Sequence, residues 1–501
     1  MKGLLVAGTA SEAGKSAVTA GICRWLARHG VKVAPFKAQN MSLNSVVTRD
    51  GAEIGRAQAM QAAAAGIEPE AALNPVLLKP GGNGTSQVMV LGHPVAEADA
   101  LSYPALKPRL AQTVLGCLAG LAGRFDAVIC EGAGSPAEIN LREHDIANMG
   151  LARAAGLPVI VVADIDRGGA LAALYGTLAL LSREDQALLA GFVVNKFRGD
   201  ARLLEPGLDR LAKLTGRPVL GVLPWTAGLW LDAEDSLSLA TAPAKGEGEG
   251  GTERRGGDVL RVAVVRLPRI SNFTDTDPLI AEPGVAVRFV TSPAEIAGAD
   301  LVILPGTRAT VADLAWLRDR GLAGAVTARA ARGGPVLGIC GGFQMLAREI
   351  HDEVESGAGL VPGLALLPAT AAFGPAKVLR LRHETWGGEQ VTGYEIHHGV
   401  VTADGGEPFP GGCSAGAVLG TTWHGILESD GFRRALLRKV AAAAGRSFEP
   451  GHVAFAQLRE RQLDTLADLV GAHLDTGALR NLIDHGAPAG LPFIPPGTPD
   501  E

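Results

Sequence analysis

The chain has 501 residues, 47% of them hydrophobic and 20% charged, with a formal net charge of −6. That length holds two or three domains, each with a core of its own. The small net charge, the lack of a basic run and the 4% aromatic content argue against a nucleic-acid partner, and no stretch is apolar for long enough to span a membrane.

The first 240 residues alternate short apolar β-type runs with helical patterns. Strands are predicted at Gly3–Gly8, Val31–Phe36, Asp126–Glu131, Leu157–Asp164, Leu189–Asn195 and Pro218–Leu223, and helices at Gly14–Arg28, Ala52–Ala65, Leu106–Ala122 and Ala170–Leu181. Such alternation means a mostly parallel, doubly wound α/β sheet with helices on both faces. Residues 241–257 are rich in Gly and Glu and lack apolar periodicity, so they read as a flexible linker. A second α/β unit starts at Val259–Leu267 and continues through Val285–Thr291, Leu301–Pro305 and Val336–Cys340. Residues 454–482 look helical and are expected to finish it. The expected domains are therefore 1–240 and 258–486, with 487–501, rich in Pro and Gly, as a disordered tail. The cysteines Cys23, Cys117, Cys130, Cys340 and Cys413 are odd in number, widely spaced and free of C-x-x-C. Neither a disulfide framework nor a zinc site is suggested, and a reducing cytoplasm is the expected compartment.

Gly8-Thr9-Ala10-Ser11-Glu12-Ala13-Gly14-Lys15-Ser16 joins a predicted strand to a predicted helix. It is a Walker A motif with five rather than four residues between its glycines. Backbone N–H groups and a helix N-terminus would face phosphate, Lys15 would add charge, and Ser16 could ligate magnesium. The longer loop resembles that of dethiobiotin synthetase-like ATPases. Relatives of these that position cell-division machinery carry a second lysine early in the loop, where this chain has Ala10. Glu131, at the end of its strand, is a second candidate for magnesium; an ordinary polar strand end is the plainer reading. Asn195 resembles the adenine-reading asparagine of the same ATPases, although Asn also commonly caps strands and helices.

Gly338-Ile339-Cys340-Gly341-Gly342 closes the apolar run at 335–339 and precedes a helical pattern. This is the pattern of a nucleophile elbow, a tight strand-to-helix turn that lifts the reactive atom off the sheet edge. The glycines leave room for the turn and let backbone N–H groups approach an oxyanion. The helix N-terminus that follows favours a thiolate. A buried structural cysteine is the alternative.

Several longer runs resemble one family. They are Pro35–Asn44, Glu53–Gln58, Asn74–Pro80, Gly134–Leu141, Asp145–Gly150, Ala163–Gly169 and Asn195–Asp200. On these the chain is similar to the cobyric acid synthases, glutamine-dependent amidotransferases of cobalamin biosynthesis, from the first strand to about residue 440. The resemblance implies a reaction. ATP phosphorylates a carboxylate of adenosylcobyrinic acid a,c-diamide, and ammonia displaces the phosphate to leave an amide. This repeats at side chains b, d, e and g. An acyl phosphate is a far better electrophile than a carboxylate, and cations must offset the charge gathered in forming it. Lys15, Lys37 and magnesium could do so. ATP contacts are expected from Gly8, Thr9, Gly14, Lys15, Ser16, Lys37 and Asn195. Asn40, Asn44, Arg142, Asp145, Asn148, Asp166 and Arg167 fall in predicted loops after strand ends, where open α/β sheets bind ligands. They are the corrin candidates, with caps and structural ion pairs as the alternative for each.

Cys340 resembles the nucleophile of class I glutamine amidotransferase domains. It would attack the glutamine amide, release ammonia and leave a glutamyl thioester for water to hydrolyse. His424 matches the position of the family's base. Gly425 follows it where most triad-type enzymes have Pro-Glu, so a Cys340–His424 dyad is expected, with Glu428 as a possible third member. Leu304-Pro305-Gly306-Thr307 looks like the loop that gives the second oxyanion donor, making Gly306 and Gly341 the N–H pair. His397-His398 reads as structural or substrate-facing. The expected small molecules are a corrinoid polycarboxylate, glutamine and ATP, with the oligomeric state left open. Cobyrinic acid a,c-diamide synthase or another ATP- and glutamine-dependent amide ligase is the nearest alternative. A non-catalytic positioning ATPase is a reading from a different class.

Overall fold

A computed structural model describes residues 1–81, 84–229 and 259–498. The linker expected at 241–257 lies outside them. In the N-terminal unit six parallel strands form one sheet, in the order Val219–Pro224, Leu189–Phe197, Val159–Asp164, Gly3–Gly8, Ala127–Glu131, Val33–Phe36. The first strand is central, and Leu4, Leu5, Val6 and Ala7 are fully buried. This is why these strands read as continuous apolar runs: helices cover both faces. The loop ends of Gly8, Lys37, Glu131, Asp164 and Asn195 gather at the carboxyl edge of the sheet, where such folds bind ligands.

Beside this sheet lies a smaller one that the sequence reading did not foresee. Gln39–Met41, Val76–Pro80, Ser86–Val90 and His93–Ala98 form four strands, and Ser45–Val47 pairs with Glu53–Gly55. The helix expected from Ala52 starts only at Arg56, because the preceding residues pair as a strand.

In the C-terminal unit the sheet runs Val285–Val290, Leu260–Val265, Leu301–Leu304, Val336–Ile339, Val418–Thr421, Gly412–Ala415, Glu407–Phe409. It is parallel as far as Val418–Thr421 and antiparallel beyond. A long hairpin, Ala369–Trp386 with Glu389–Ala403, is part of a separate five-stranded sheet and touches Ser45–Val47 of the N-terminal unit. Lys377 on this hairpin donates to Glu53 Oε2 at 2.5 Å.

Two expectations about the chain end are corrected. The helix Phe455–His473, expected to finish the second unit, packs on Lys15–Arg28 of the first. Leu463, Leu466, Ala467 and Val470 make the apolar stripe of an amphipathic helix. A stripe dictates burial but not the partner. Here Gly21 permits the contact, since a Cβ at that position would lie 2.9 Å from the Leu466 carbonyl oxygen. Arg24 pairs with Glu460 at 2.7 Å and Asp464 at 2.9 Å, and Arg28 with Asp468 at 2.7 Å. Leu474, Leu479, Leu482 and Ile483 continue the same core. The segment expected to be disordered also returns to the first unit. Gln186 exchanges two hydrogen bonds with the Ile494 backbone, at 2.9 and 2.8 Å. The buried Arg217 donates to the carbonyls of Leu189, Thr215, Gln186 and Pro492. Satisfied donors and a buried Ile494 outweigh a composition that by itself reads as loose.

Candidate active sites

The phosphate loop turns at Gly14 with φ of 101°, and the helix Lys15–Arg28 starts there. Asn195 donates to the Ala13 carbonyl at 3.0 Å. A side chain on Gly14 would collide with it, at 1.9 Å from Nδ2. Asn195 thus braces the loop as well as lining the cleft. Lys15 Nζ donates to the carbonyls of Ala10 at 2.9 Å and Gly134 at 3.1 Å. Ser16 Oγ donates to Glu131 Oε1 at 2.8 Å, and Lys37 Nζ to the same oxygen at 2.9 Å. Gln61 donates to Glu131 Oε2. Burial opposes ionisation of Glu131, but Lys37, Gln61 and Lys15 outweigh it and hold the carboxyl below its usual range.

Of these residues Gly14, Lys15, Ser16, Lys37, Gly134 and Asn195 line a cleft of about 2070 Å³, a volume that includes space open to solvent. Lys15, Ser16, Lys37, Asn40 and Arg167 give it a polar side. The far wall is apolar, with Leu223, Trp225 and Leu229 facing Leu466, Leu469 and Val470 of the C-terminal helix. Only two of the corrin candidates line this cleft. Asn40 is buried and donates to Gln58 at 2.7 Å, and Arg167 pairs with Glu12 at 2.5 Å. The others lie outside the cleft lining and are bonded to neighbouring protein groups. Arg142 makes a bidentate pair with Asp185 at 2.6 and 2.8 Å. Asp145 accepts from the N–H groups of Ala147, Asn148 and Gly150 at a helix start. Asn148 bonds both backbone groups of Ala133. Asp166 pairs with Arg198 at 2.8 Å, and Asn44 is buried against Ser42 and receives Arg56 N–H at its carbonyl.

In the second unit Cys340 has φ 51° and ψ −109°, a strained conformation for a side chain other than Gly. It sits between Val336–Ile339 and the short helix Gly341–Leu346. The neighbouring glycines are sterically required. A Cβ on Gly342 would lie 1.9 Å from the Leu304 oxygen, and one on Gly338 2.6 Å from Leu346. A Cβ on Gly306 would come within 2.8 Å of the His424 ring, and one on Gly341 within 2.6 Å of Thr307. The fold therefore brings Cys340, His424, Gly306 and Gly341 to one place.

His424 is buried, and its Nδ1 lies 2.6 Å from Asp275 Oδ2. Asp275 Oδ1 also accepts from Gly425 N–H at 2.8 Å. Burial works against protonation of the imidazole, yet Asp275 and Cys340 on its two sides push its pKa up to about 10. The carboxylate that orients His424 is thus Asp275, and the reading of Glu428 as third member is corrected: Glu428 points to Arg56 and Arg459. Asp275 lies in a turn shortly after the strand Leu260–Val265, some 150 residues before the histidine. The available signal was Asn272-Phe273-Thr274-Asp275-Thr276-Asp277, a polar run beyond a strand end.

A narrow cavity, partly open to solvent, adjoins Cys340. Arg308, Gln344, Glu355, Lys377, His397 and His398 line it, and Lys79 and Gln87 of the first unit reach into it. Burial pushes Glu355 up to about 7 despite Arg308 at 2.8 Å. Burial, with Lys377 and Arg308 adding to it, takes His398 down to about 4.

Among known proteins, the model of the CobQ/CobB/MinD/ParA nucleotide binding domain matches residues 4–239. That of the CobB/CobQ-like glutamine amidotransferase domain matches residues 261–432. Curated relatives named cobyric acid synthase include those of Frankia casuarinae, 66% identical, and Streptomyces avermitilis, 63% identical, each match covering 99% of this chain and 99% of the relative. The relative from Streptomyces coelicolor is 64% identical over 99% of both chains.

Proposed function

Since the chain belongs to the cobyric acid synthase family, we propose how its own residues divide the family's reaction between the two sites. The chain is a glutamine-hydrolysing carbon–nitrogen ligase that amidates the b, d, e and g carboxylates of adenosylcobyrinic acid a,c-diamide through acyl phosphates. ATP occupies the cleft above Lys15, with its phosphates on the loop from Gly8 and Thr9 to Gly14 and its base towards the apolar wall. Ser16 and Glu131 share a hydrogen bond at the phosphate loop, an oxygen donor set that suits a hard cation. They are the residues that would hold magnesium, which when bound would help offset the phosphate charge. Lys15 and Lys37 neutralise the charge that gathers when the corrin carboxylate meets the γ-phosphate. Asn40 and Arg167, which line the cleft, contact the corrin side chain there, since Arg pairs with carboxylate and Asn with amide.

In the second site Cys340 attacks the glutamine carboxamide. His424, held by Asp275, takes the thiol proton and returns it to the leaving nitrogen, so ammonia departs. The N–H groups of Gly306 and Gly341 hold the oxyanion. The glutamyl thioester is then hydrolysed. Arg308 and Glu355 suit the two charged ends of a free amino acid, carboxylate and ammonium.

The observation that carries this reading is the strained Cys340 turn with the His424–Asp275 pair beside it. Cys340→Ala should abolish glutamine-driven amidation and leave amidation with ammonium salts. Full glutamine-driven turnover in that variant would sink the assignment. Lys15→Ala should lose both activities, and normal ammonia-driven turnover would count against the phosphate role. Product mass then separates this reaction from a,c-diamide synthesis.

A further inference from the structure

The helix Arg56–Ala64 belongs to the nucleotide-binding unit, yet its first side chain lies in the other unit's site. Arg56 is 2% exposed. Its Nη1 donates to the Tyr394 hydroxyl at 3.2 Å, and Nη2 donates to Glu428 Oε1. The Tyr394 ring stacks on the His424 imidazole, with centroids 5.7 Å apart and planes 29° apart. Glu428 ends the short turn Ile426–Glu428 that follows His424 and Gly425. One planar guanidinium therefore holds both the ring that covers the imidazole and the turn that carries it. Arg suits this role because its fixed fork serves two acceptors at once. Burying that charge is costly unless it is paired. It is not among the residues lining the nucleotide cleft or the cavity beside Cys340.

We infer that Arg56 is a positioning residue for His424, so that the glutaminase site is complete only with the nucleotide-binding unit docked against it. This rests on the assignment of Cys340 and His424 given above. The same helix also reaches the first site, where Gln58 accepts from Asn40 and Gln61 donates to Glu131. A single two-and-a-half-turn element thus touches the ammonia source at its start and the magnesium carboxylate further along.

The test uses the full chain with corrin diamide and ATP, measuring initial rates against glutamine and, separately, against ammonium salt. Misplacing the base should cost about 10- to 100-fold in glutamine-driven kcat in Arg56→Met. The KM for glutamine should stay within about twofold, since Arg56 does not line the amino-acid cavity, and ammonia-driven amidation should persist. Tyr394→Phe removes one acceptor of Arg56 but keeps the stacked ring, so it should give a smaller loss of glutamine-driven kcat. The double variant should be no slower than Arg56→Met, because both changes break one linkage. Unchanged kcat in either single variant, a rise in KM alone, an equal loss of ammonia-driven turnover, or strictly additive losses would each overturn the inference. Glutamine-driven turnover by Cys340→Ala would instead overturn the assignment beneath it.

Discussion

Asp275→Asn keeps the size of the side chain and removes its charge. In the native site Asp275 Oδ2 lies 2.6 Å from His424 Nδ1, and Oδ1 accepts from Gly425 N–H at 2.8 Å. An amide keeps at most one of these two oxygens as an acceptor, so it either loses the Gly425 bond or turns an N–H towards Nδ1. The second outcome favours the wrong imidazole tautomer. The electrostatic stake can be sized from His424 itself, which rises from an ordinary 6.5 to about 10 although it is buried. At about 1.4 kcal/mol per tenfold, that elevation favours the imidazolium by roughly 5 kcal/mol, shared between Asp275 and Cys340. If Asp275 supplies half or more, the expected loss in glutamine-driven kcat is on the order of 10²- to 10⁴-fold, with the upper end equal to that of the same change in serine-protease triads. The assay is corrin amidation with glutamine, followed by product mass, beside the same reaction driven by ammonium salt. The ammonia-driven rate should not change. A glutamine-driven rate within about threefold of the native one, with Cys340→Ala inactive, would refute the reasoning and reduce Asp275 to a cap on the turn.

Two further outcomes are expected. Glu53 is fully buried and accepts from Lys79 and Ser45 of its own unit and from Lys377 across the boundary between the units. Burial lowers Lys377 to about 8, with Glu53 opposing. Glu53→Gln leaves two buried ammonium groups without a counter-charge, so stability should fall by about 3–5 kcal/mol, seen as a lower urea midpoint. An unchanged midpoint would show that the lysines find other partners. Leu466→Asp places a carboxylate in the stripe that packs on Gly21 and lines the nucleotide cleft. ATP affinity by calorimetry should drop about tenfold or more, at a burial cost of roughly 1–3 kcal/mol. Native affinity would show that this part of the helix does not border the bound nucleotide.

Much of this protein is local in origin and was legible as such. The six strands of the first sheet are continuous apolar runs because both of their faces are covered. Gly8 to Ser16 and Gly338 to Gly342 announce themselves because a phosphate cradle and a strained turn each need glycines at set places along a few residues. What remained hidden depends on pairing between distant segments. The small sheet of Gln39–Met41 and Val76–Pro80 is made of short strands whose partners sequence spacing does not name. The helix Phe455–His473 carries a stripe that would suit either unit, and it was Gly21 with Arg24 and Arg28 that selected the first.

The sites divide in the same way. Sequence by itself determined two local features of this chain, a phosphate loop before Lys15 and a tight strand-to-helix turn at Cys340, because each is set by residues adjacent along the backbone. Only the tertiary structure decided which carboxylate serves His424. Glu428 is nearer in sequence, but the turn after Gly425 swings it towards Arg56, and the strand Leu260–Val265 delivers Asp275 to the ring instead. It decided as well that Arg142, Asp145 and Asn148 bond to neighbouring protein groups while Asn40 and Arg167 line the cleft. A polar side chain near a strand end can cap, pair or bind. Which of these it does depends on the groups that packing brings within about 3 Å of it, and those come from elsewhere in the chain.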